Sequence, residues 1–309
     1  MKRFLTFVLL ACAAAAFAAG KKSVYSGVFP PDIKCIAVLS PASCPNKKQI
    51  MRGIAMLEAA GVKVKLMPHS FVPKRASLEQ RLEAWNMAVN DPEVDMIIPT
   101  RGGSGAQDLL NHIDWNKVRE RKIILMGFSN ITYLTSAMMF HKAGYPIAGP
   151  NVGRLVSATP ATRAHLKNVL AKQSPAPVKL IPLRAGDAGG KPYAGHIAML
   201  EGNVKSPLKF IPDGRIVFIE CVRRDTAVIA KSFDCLFNAG FFNNVKAVVL
   251  CHFSRVKDKE NLDKVFADLT SKLKCPVYKG YPYGHENANF PIDFQANATI
   301  KDDTLTFSY

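Results

Sequence analysis

The strongest constraint on the fold is the regular alternation of short apolar segments with amphipathic helical segments in the first half of the chain. Apolar segments typical of buried strands occupy residues 33–40, 62–67, 96–99 and 123–126. Helical segments occupy residues 47–60, residues 77–90, a short stretch from Ala106, and a stretch that follows Gly127–Asn130 and reaches about Lys142. This alternation predicts a parallel sheet flanked by helices, in which sites form at the carboxyl ends of the strands.

The second half of the chain is richer in strands. Strands are predicted over residues 215–220 and 245–251 and near residues 299–300 and 304–307, and helices over residues 226–239 and 261–273. Between the halves, residues 171–193 contain four prolines and three glycines. We interpret this segment as the connection between domains of residues 19–170 and 194–309, although part of it is compatible with an edge strand. The predicted fold class is α/β.

The N-terminus has the features of an export signal. Lys2 and Arg3 precede an apolar run from Phe4 to Ala16, and Ala16-Phe17-Ala18 fits the pattern that signal peptidase cleaves. We therefore interpret residues 1–18 as a cleaved signal and expect an exported protein of the periplasm or cell envelope. Two alternatives stay open: a short uncleaved anchor, and a lipobox at Leu9–Cys12 that would leave a lipid on Cys12. No later segment is predicted to span a membrane.

The chain is strongly basic. Its formal net charge is +17, which becomes +15 without Lys2 and Arg3. In an exported protein this charge favours contact with cell-wall polymers, membrane surfaces or acidic peptides, and the basic residues are spread along the chain as on an ordinary solvated surface. We do not predict nucleic acid as a partner.

Cysteine usage argues against a metal site. Cys12 leaves with the signal, and six of the seven cysteines remain, which permits 15 disulfide pairings. Because Cys35, Cys221 and Cys251 lie in or beside strand-like segments, we expect them to be buried free thiols. The spacing of cysteine and histidine does not match a zinc site, so no metal or other cofactor is predicted.

Ser129 follows a predicted strand and precedes a predicted helix. A serine on such a sharp turn exposes its hydroxyl, and the N–H groups of the new helix can face a developing oxyanion. The segment Gly127–Ile131 lacks the second glycine of the G-x-S-x-G pattern. From the residues alone, Ser129 is therefore either a nucleophile or a helix N-cap.

The Gly102-Gly103 loop follows another predicted strand. It lacks the lysine of a P-loop and the spacing of G-x-G-x-x-G. It can lend a backbone N–H to an oxyanion hole or serve as a plain turn.

His285 is the best candidate for a general base among the seven histidines. It lies in a loop-like stretch after an apolar strand, whereas the other six are expected on the surface or in packing. A catalytic imidazole needs a partner for its second nitrogen, usually a carboxylate. Glu220 ends a predicted strand and is a plausible partner.

Five segments in order resemble the serine LD-carboxypeptidases of bacterial cell-wall recycling, a family that includes the microcin C immunity peptidases. The segments are Asp91–Ala106 with its Arg-Gly-Gly turn, Met126–Leu134 with a motif similar to Gly-Tyr-Ser-Asp-x-Thr, Gly202-Asn203, Val217–Glu220, and Gly284-His285 with Phe290–Ile292. The resemblance covers most of residues 30–300.

The resemblance implies a catalytic triad of Ser129, His285 and Glu220. It also implies an oxyanion hole formed by the backbone N–H groups of Gly103 and Asn130. Substrate contacts are implied for three further residues, Arg101, Gly102 and Asn203.

The implied reaction is removal of the terminal D-Ala from a murein stem tetrapeptide, without a metal. The implied architecture is a flavodoxin-like N-terminal domain and a smaller β-rich C-terminal domain, with the active site in the cleft between them. The implied assembly is a homodimer.

Four residues depart from the family pattern. Asn130 replaces an aspartate, Glu201 a glycine, Cys235 an arginine and Glu286 a glycine. All three triad positions are retained, so we expect activity, with the substrate pocket as the place where specificity can differ. Two alternatives stay open: a peptidase or amidase for another peptide, such as a peptide-nucleotide antibiotic, and an inactive protein that binds murein peptides.

Overall fold

The computed structural model describes residues 23–309. The predicted signal at residues 1–18 and the lipidation candidate Cys12 lie outside the described residues. Within residues 23–309, no helix combines the length and the apolar character needed to cross a membrane.

The first sheet has the strand order of flavodoxin-like folds, as predicted. Its five parallel strands run in the order β2-β1-β3-β4-β5, and a sixth strand, β13, joins β5 in the antiparallel sense. The strands are β1 (Cys35–Val38), β2 (Lys63–Leu66), β3 (Met96–Ile97), β4 (Ile124–Gly127), β5 (Tyr145–Ala148) and β13 (Ile292–Asp293).

Helices cover both faces of this sheet, because alternate strand residues point to opposite sides. Ile36 and Val38 belong to one buried cluster, and Cys35 and Ala37 to the other. Ser77 is the N-cap of the second helix, as predicted, and Gln80 completes a capping box with it. The helices are α1 (Lys47–Glu58), α2 (Leu78–Asn90), α3 (Trp115–Arg121), α4 (Thr132–His141), α5 (Val152–Leu155) and α6 (Pro160–Leu170), with 3₁₀ turns at Ala106–Leu109 and Ser129–Ile131.

The second half builds two smaller sheets around its own core. One has the order β7-β12-β11-β10-β9 and is parallel except for β7; the other has the order β6-β15-β14-β8 and is antiparallel. The strands are β6 (Val178–Lys179), β7 (Ile181–Arg184), β8 (Ala188–Gly190), β9 (Pro192–His196), β10 (Ile216–Val222), β11 (Ala247–Ser254), β12 (Val277–Lys279), β14 (Asn297–Lys301) and β15 (Thr304–Ser308). The helices are α7 (Ile197–Val204), α8 (Thr226–Asn238) and α9 (Leu262–Lys272), with a 3₁₀ turn at Lys259–Asn261.

The segment 171–193, interpreted above as the connection between domains, carries β6, β7, β8 and the start of β9. The first three are edge strands of the two smaller sheets. Edge positions tolerate the prolines and glycines of this segment, because one side of an edge strand does not hydrogen-bond to a neighbour.

The two halves are joined by specific polar contacts. Strand β13 extends the first sheet from the C-terminal half, and its buried Asp293 pairs with Lys172. Tyr193 donates its hydroxyl to Ser136 Oγ over 2.6 Å, since Ser136 itself donates to the Thr132 carbonyl. The pairing of β13 holds the chain that follows His285 on the edge of the first sheet, and the contact of Tyr193 joins β9 to α4.

The described cysteines are all free thiols, and Cys35, Cys221 and Cys251 are buried as predicted. Burial raises the pKa of Cys221 to about 12, so this thiol stays protonated at neutral pH.

His165 links helix α6 to the C-terminal half. Its ring stacks on Phe290 with 4.7 Å between ring centroids, and its Nε2 lies 3.2 Å from the Tyr281 hydroxyl. Burial lowers the pKa of His165 to about 4, because the charged imidazolium would be desolvated there.

We expect His165 to make the stability of the protein pH-dependent. The unfolded chain binds a proton at this side chain near pH 6.5, whereas the folded chain does so only near pH 4. The contribution of His165 to the free energy of unfolding is therefore fully present above pH 6.5. This contribution falls by about 3 kcal/mol as the pH drops to about 4. Urea unfolding of the wild type and His165→Phe across this range measures the effect, with His112→Gln, at an exposed histidine, as the control.

The variant His165→Phe keeps an aromatic ring beside Phe290 but cannot take up a proton. Its unfolding free energy should fall less steeply with decreasing pH than that of the wild type. Equal slopes for the two proteins would contradict the assignment.

Candidate active site

A cavity of about 470 Å³ lies at the carboxyl ends of the strands and is lined by residues of both halves. Among the lining residues are Ser129, which follows β4, and Gly102 and Gly103, which follow β3. His285 lines it from the second half. Together with Arg101, five of the residues singled out from the sequence therefore line one cavity.

Ser129 has a left-handed backbone, with φ of +63°. This conformation costs a non-glycine residue about 1–2 kcal/mol and persists only where the surrounding structure enforces it. The position before the 3₁₀ turn is Phe128, and no side chain caps the turn. Ser129 is therefore presented on a strained turn between β4 and α4, and the N-cap alternative does not describe it.

The Gly102-Gly103 loop packs directly on Ser129. A Cβ atom on Gly102 would lie 2.9 Å from Ser129 Cβ and 3.1 Å from the Asn130 nitrogen, so only glycine allows this approach. Gly103 has φ of +111°, and a Cβ there would collide with Ser43 Oγ. The two segments predicted to supply oxyanion donors are therefore adjacent.

His285 and Glu220 are in direct contact. Nδ1 of His285 lies 2.8 Å from Oε2 of Glu220, a residue with 0% exposure at the end of β10. A carboxylate at this distance accepts the Nδ1–H proton, which leaves Nε2 of the neutral ring as a proton acceptor. Gly284 permits the contact, because a Cβ there would lie 3.0 Å from Glu220 Oε2.

The backbone of His285 is held from the first half. Arg154 Nη2 donates to the His285 carbonyl over 2.8 Å, and the ring of Phe128 lies 4.8 Å from the imidazole between centroids. Phe128 is the residue before Ser129. Ser129 and His285 line the same cavity, and the hydrogen bonds of residues 23–309 do not include one between their side chains.

Glu220 is otherwise poorly paired. Its second oxygen, Oε1, is buried and has no hydrogen-bond partner among the described residues. A carboxylate in such an environment gains strongly from a nearby positive charge. Among the described residues, the side-chain hydrogen bond of Glu220 is the one to the His285 ring.

Two residues singled out from the sequence, Asn203 and Asn130, are not among the residues that line the cavity. Asn203 is buried on α7, donates to the Phe210 carbonyl over 3.2 Å, and does not line the cavity. Asn130 directs its side chain away from the cavity, and its Oδ1 accepts the Ala106 N–H over 2.9 Å. Arg101 lines the cavity, as expected of a substrate contact.

The remaining departures from the family pattern lie outside the cavity. Glu201 accepts a hydrogen bond from Ser232 and pairs with Lys205, and Glu286 is exposed. Cys235 is half-buried on α8.

Three arginines that the sequence analysis did not single out also line the cavity: Arg154, Arg223 and Arg255. A signal for two of them is present in the sequence, because Arg223 and Arg255 come shortly after strand-like segments. Between Ser23 and Tyr309, no cluster of three histidine, cysteine, aspartate or glutamate side chains could hold a metal ion.

The family models that match the chain divide it in the same way as the structure. The model described as the LD-carboxypeptidase N-terminal domain matches residues 36–147. The model described as the LD-carboxypeptidase C-terminal domain matches residues 189–300.

Individual relatives cover nearly the whole chain. The murein tetrapeptide carboxypeptidase of Pseudomonas aeruginosa is 26% identical over 87% of this chain and 94% of its own. The crystal structure of the Oxalobacter formigenes muramoyltetrapeptide carboxypeptidase aligns with a TM-score of 0.81 at 23% identity, covering 89% of this chain and 99% of its own.

The microcin C7 self-immunity protein MccF in its wild-type apo state also aligns with a TM-score of 0.81, at 18% identity over 91% of this chain and 97% of its own. These structural likenesses show a common two-domain fold. Together with the two matched domains, they establish that the chain belongs to the LD-carboxypeptidase family of serine peptidases.

Proposed function

We propose that this serine carboxypeptidase removes the terminal D-Ala from murein stem tetrapeptides, with Ser129, His285 and Glu220 as its triad. The observation that carries the proposal is the contact between His285 Nδ1 and Glu220 Oε2 beside a cavity that Ser129 also lines. The relative named murein tetrapeptide carboxypeptidase supports the choice of substrate.

In the first half-reaction, Ser129 Oγ attacks the carbonyl carbon before D-Ala while His285 Nε2 takes the hydroxyl proton. The resulting oxyanion accepts hydrogen bonds from the backbone N–H groups of Gly103 and Asn130. His285 then gives the proton to the nitrogen of D-Ala, the C–N bond breaks, and an acyl-enzyme remains. Water, activated by the same imidazole, releases the tripeptide and restores Ser129.

Glu220 acts through His285. It holds the Nδ1–H tautomer, keeps Nε2 directed at the cavity, and stabilises the imidazolium that forms during each proton transfer. Arg101 and Gly102 line the same cavity as Ser129, and in this proposal Arg101 binds the terminal carboxylate that distinguishes a carboxypeptidase substrate.

We further propose that the protein is exported and acts on stem peptides in the periplasm or cell wall, as the N-terminal residues indicate. Homodimer formation is proposed from the family resemblance alone.

We predict that the mature protein converts a murein tetrapeptide to the tripeptide, with loss of one alanine in the mass spectrum. Ser129→Ala should lower the rate by at least about 10³-fold, because no other group replaces the nucleophile. Ser271→Ala, at an exposed position on α9, is the matched control and should keep wild-type activity. Binding of the tetrapeptide without turnover by the folded wild type would favour the binding-protein alternative.

We predict that the exported form begins at Ala19. Intact-mass analysis of the protein secreted by a bacterial host should give the mass of residues 19–309, and Ala18→Leu should block cleavage because signal peptidase requires a small residue there. A lipid-modified N-terminus at Cys12, or full-length protein retained in the cytoplasm, would contradict this prediction.

A further inference from the structure

A second cavity, of about 530 Å³, lies at the opposite end of β4 from Ser129. Lys122, which comes shortly before β4, lines this second cavity, whereas Ser129 follows β4. Among the described residues, none lines both the second cavity and the catalytic cavity that contains Ser129. The second half contributes Phe210, Arg215 and Gln295, so a ligand in the second cavity would contact both halves of the protein.

The second cavity has an excess of positive charge. Four cations line it, Arg119, Lys122, Lys142 and Arg215, and its described lining includes no aspartate or glutamate. The ion pairs of residues 23–309 involve none of the four. The carbonyl ends of helices α3 and α4 offset part of the charge of the first three cations, but Arg215 directly precedes strand β10. A concave site of this kind attracts an anion.

The guanidinium group of Arg215 is held in a fixed orientation. Its Nη1 donates to the carbonyls of Pro192 and Phe294 over 3.1 and 3.2 Å, and the group lies 5.6 Å from the centroid of the Phe210 ring. The described residues give the Arg215 side chain no other hydrogen bond, so Nε and Nη2 can donate to a ligand. Burial lowers the pKa of Arg215, because the charged group loses hydration. A guanidinium held in this way is prepared for an oxyanion.

Two lysines of the second cavity occupy unfavourable backbone positions. Lys122 ends α3 and Lys142 ends α4, both in the left-handed conformation, with φ of +53° and +50°. Glycine and asparagine adopt this conformation at a helix end most easily, and other residues pay about 1–2 kcal/mol. The backbone therefore does not require lysine at either position, and both lysines add charge to the second cavity.

Most of the remaining lining of the second cavity is apolar. It consists of Met138, Met139, Ala143, Gly144, Tyr145, Pro146 and Phe210, with Gln295 as the uncharged polar side chain. Tyr145 is 38% exposed, and Phe140, which follows Met139 on α4, is 43% exposed. An apolar wall beside several cations suits a ligand that combines an anionic group with an apolar group.

We infer that the second cavity binds a phosphate ester that carries an apolar group. Nε and Nη2 of Arg215 donate to two phosphate oxygens, and the ammonium groups of Lys122 and Lys142 neutralise the remaining charge. A phosphate group offers more acceptor oxygens than a carboxylate, which suits several cations around one site. The apolar group of the ester contacts Phe210 and Met139. A soluble ester and a phospholipid head group share this chemistry, and neither depends on the proposed reaction at Ser129.

Calorimetry with phenyl phosphate tests the soluble form of the ligand, with inorganic phosphate as the comparison. Phenyl phosphate should bind the wild type at least about tenfold tighter, because only the ester contacts the apolar wall. Lys142→Asn, which suits the left-handed backbone, should weaken the binding of phenyl phosphate about fivefold or more. The matched control is Lys74→Asn, at an exposed lysine with φ of +61° outside both cavities. Equal affinities for the two phosphates would contradict the inference.

A pair of arginine variants separates the second cavity from the catalytic cavity, which Arg223 lines. Phenyl phosphate should still bind to Arg223→Gln, and Arg215→Gln should weaken its binding about tenfold or more. The reverse result would place the ester in the catalytic cavity and overturn the inference.

Co-sedimentation with vesicles tests the lipid form of the ligand. Vesicles that contain phosphatidylglycerol are compared with vesicles of phosphatidylcholine alone. Binding that requires phosphatidylglycerol, and that Lys142→Asn weakens more than Lys74→Asn does, would identify a lipid head group as the ligand. Binding of phenyl phosphate without binding to vesicles would identify a soluble ester.

Two further results would overturn the inference. One is that neither phenyl phosphate nor the phosphatidylglycerol vesicles bind to the wild type. The other is that Lys142→Asn and Lys74→Asn affect the binding of both probes equally, because the charge of the whole surface would then account for it.

Discussion

The contact between the buried Glu220 carboxylate and the His285 imidazole is the interaction on which the site depends. It requires β10 to end at the cavity. It requires a glycine at position 284, because a Cβ atom there would lie 3.0 Å from Glu220 Oε2. It also requires the backbone of His285 to stay fixed, which Arg154 and the pairing of β13 with β5 achieve. A buried carboxylate with one unpaired oxygen is costly, and the hydrogen bond with His285 Nδ1 offsets part of that cost.

The glycine loop and Ser129 come to the same cavity from a different sheet, the first one. Parallel strands β3 and β4 end side by side, so that the glycine loop and Ser129 meet without any long connection. The strain at Ser129 is supported by close packing against Gly102. Because the proposed triad is divided between the halves, we expect the relative position of the halves to matter for catalysis, so that the polar contacts that join them would serve function as well as stability.

Several features follow from local sequence pattern. The parallel sheet, the helix beginning at Ser77 and the turn at Ser129 all depend on nearby residues, and the structure confirms them. Glu220 and His285 meet although they are 65 positions apart in the chain, and the residues alone could only suggest this contact. The edge strands in residues 171–193 were harder to predict, because proline and glycine are typical of both loops and edges. Arg223 and Arg255 were not singled out, because only the pairing of β10 with β11 brings them to the same cavity.

The central claim is that His285 activates Ser129 in this cavity. Labelling with a fluorophosphonate, which reacts covalently with activated serines, tests it without assuming any peptide substrate. The account predicts that the probe modifies the peptide containing Ser129, and that His285→Ala slows this reaction by about 10²-fold or more. Labelling at another serine, or an unchanged rate in the variant, would contradict the account.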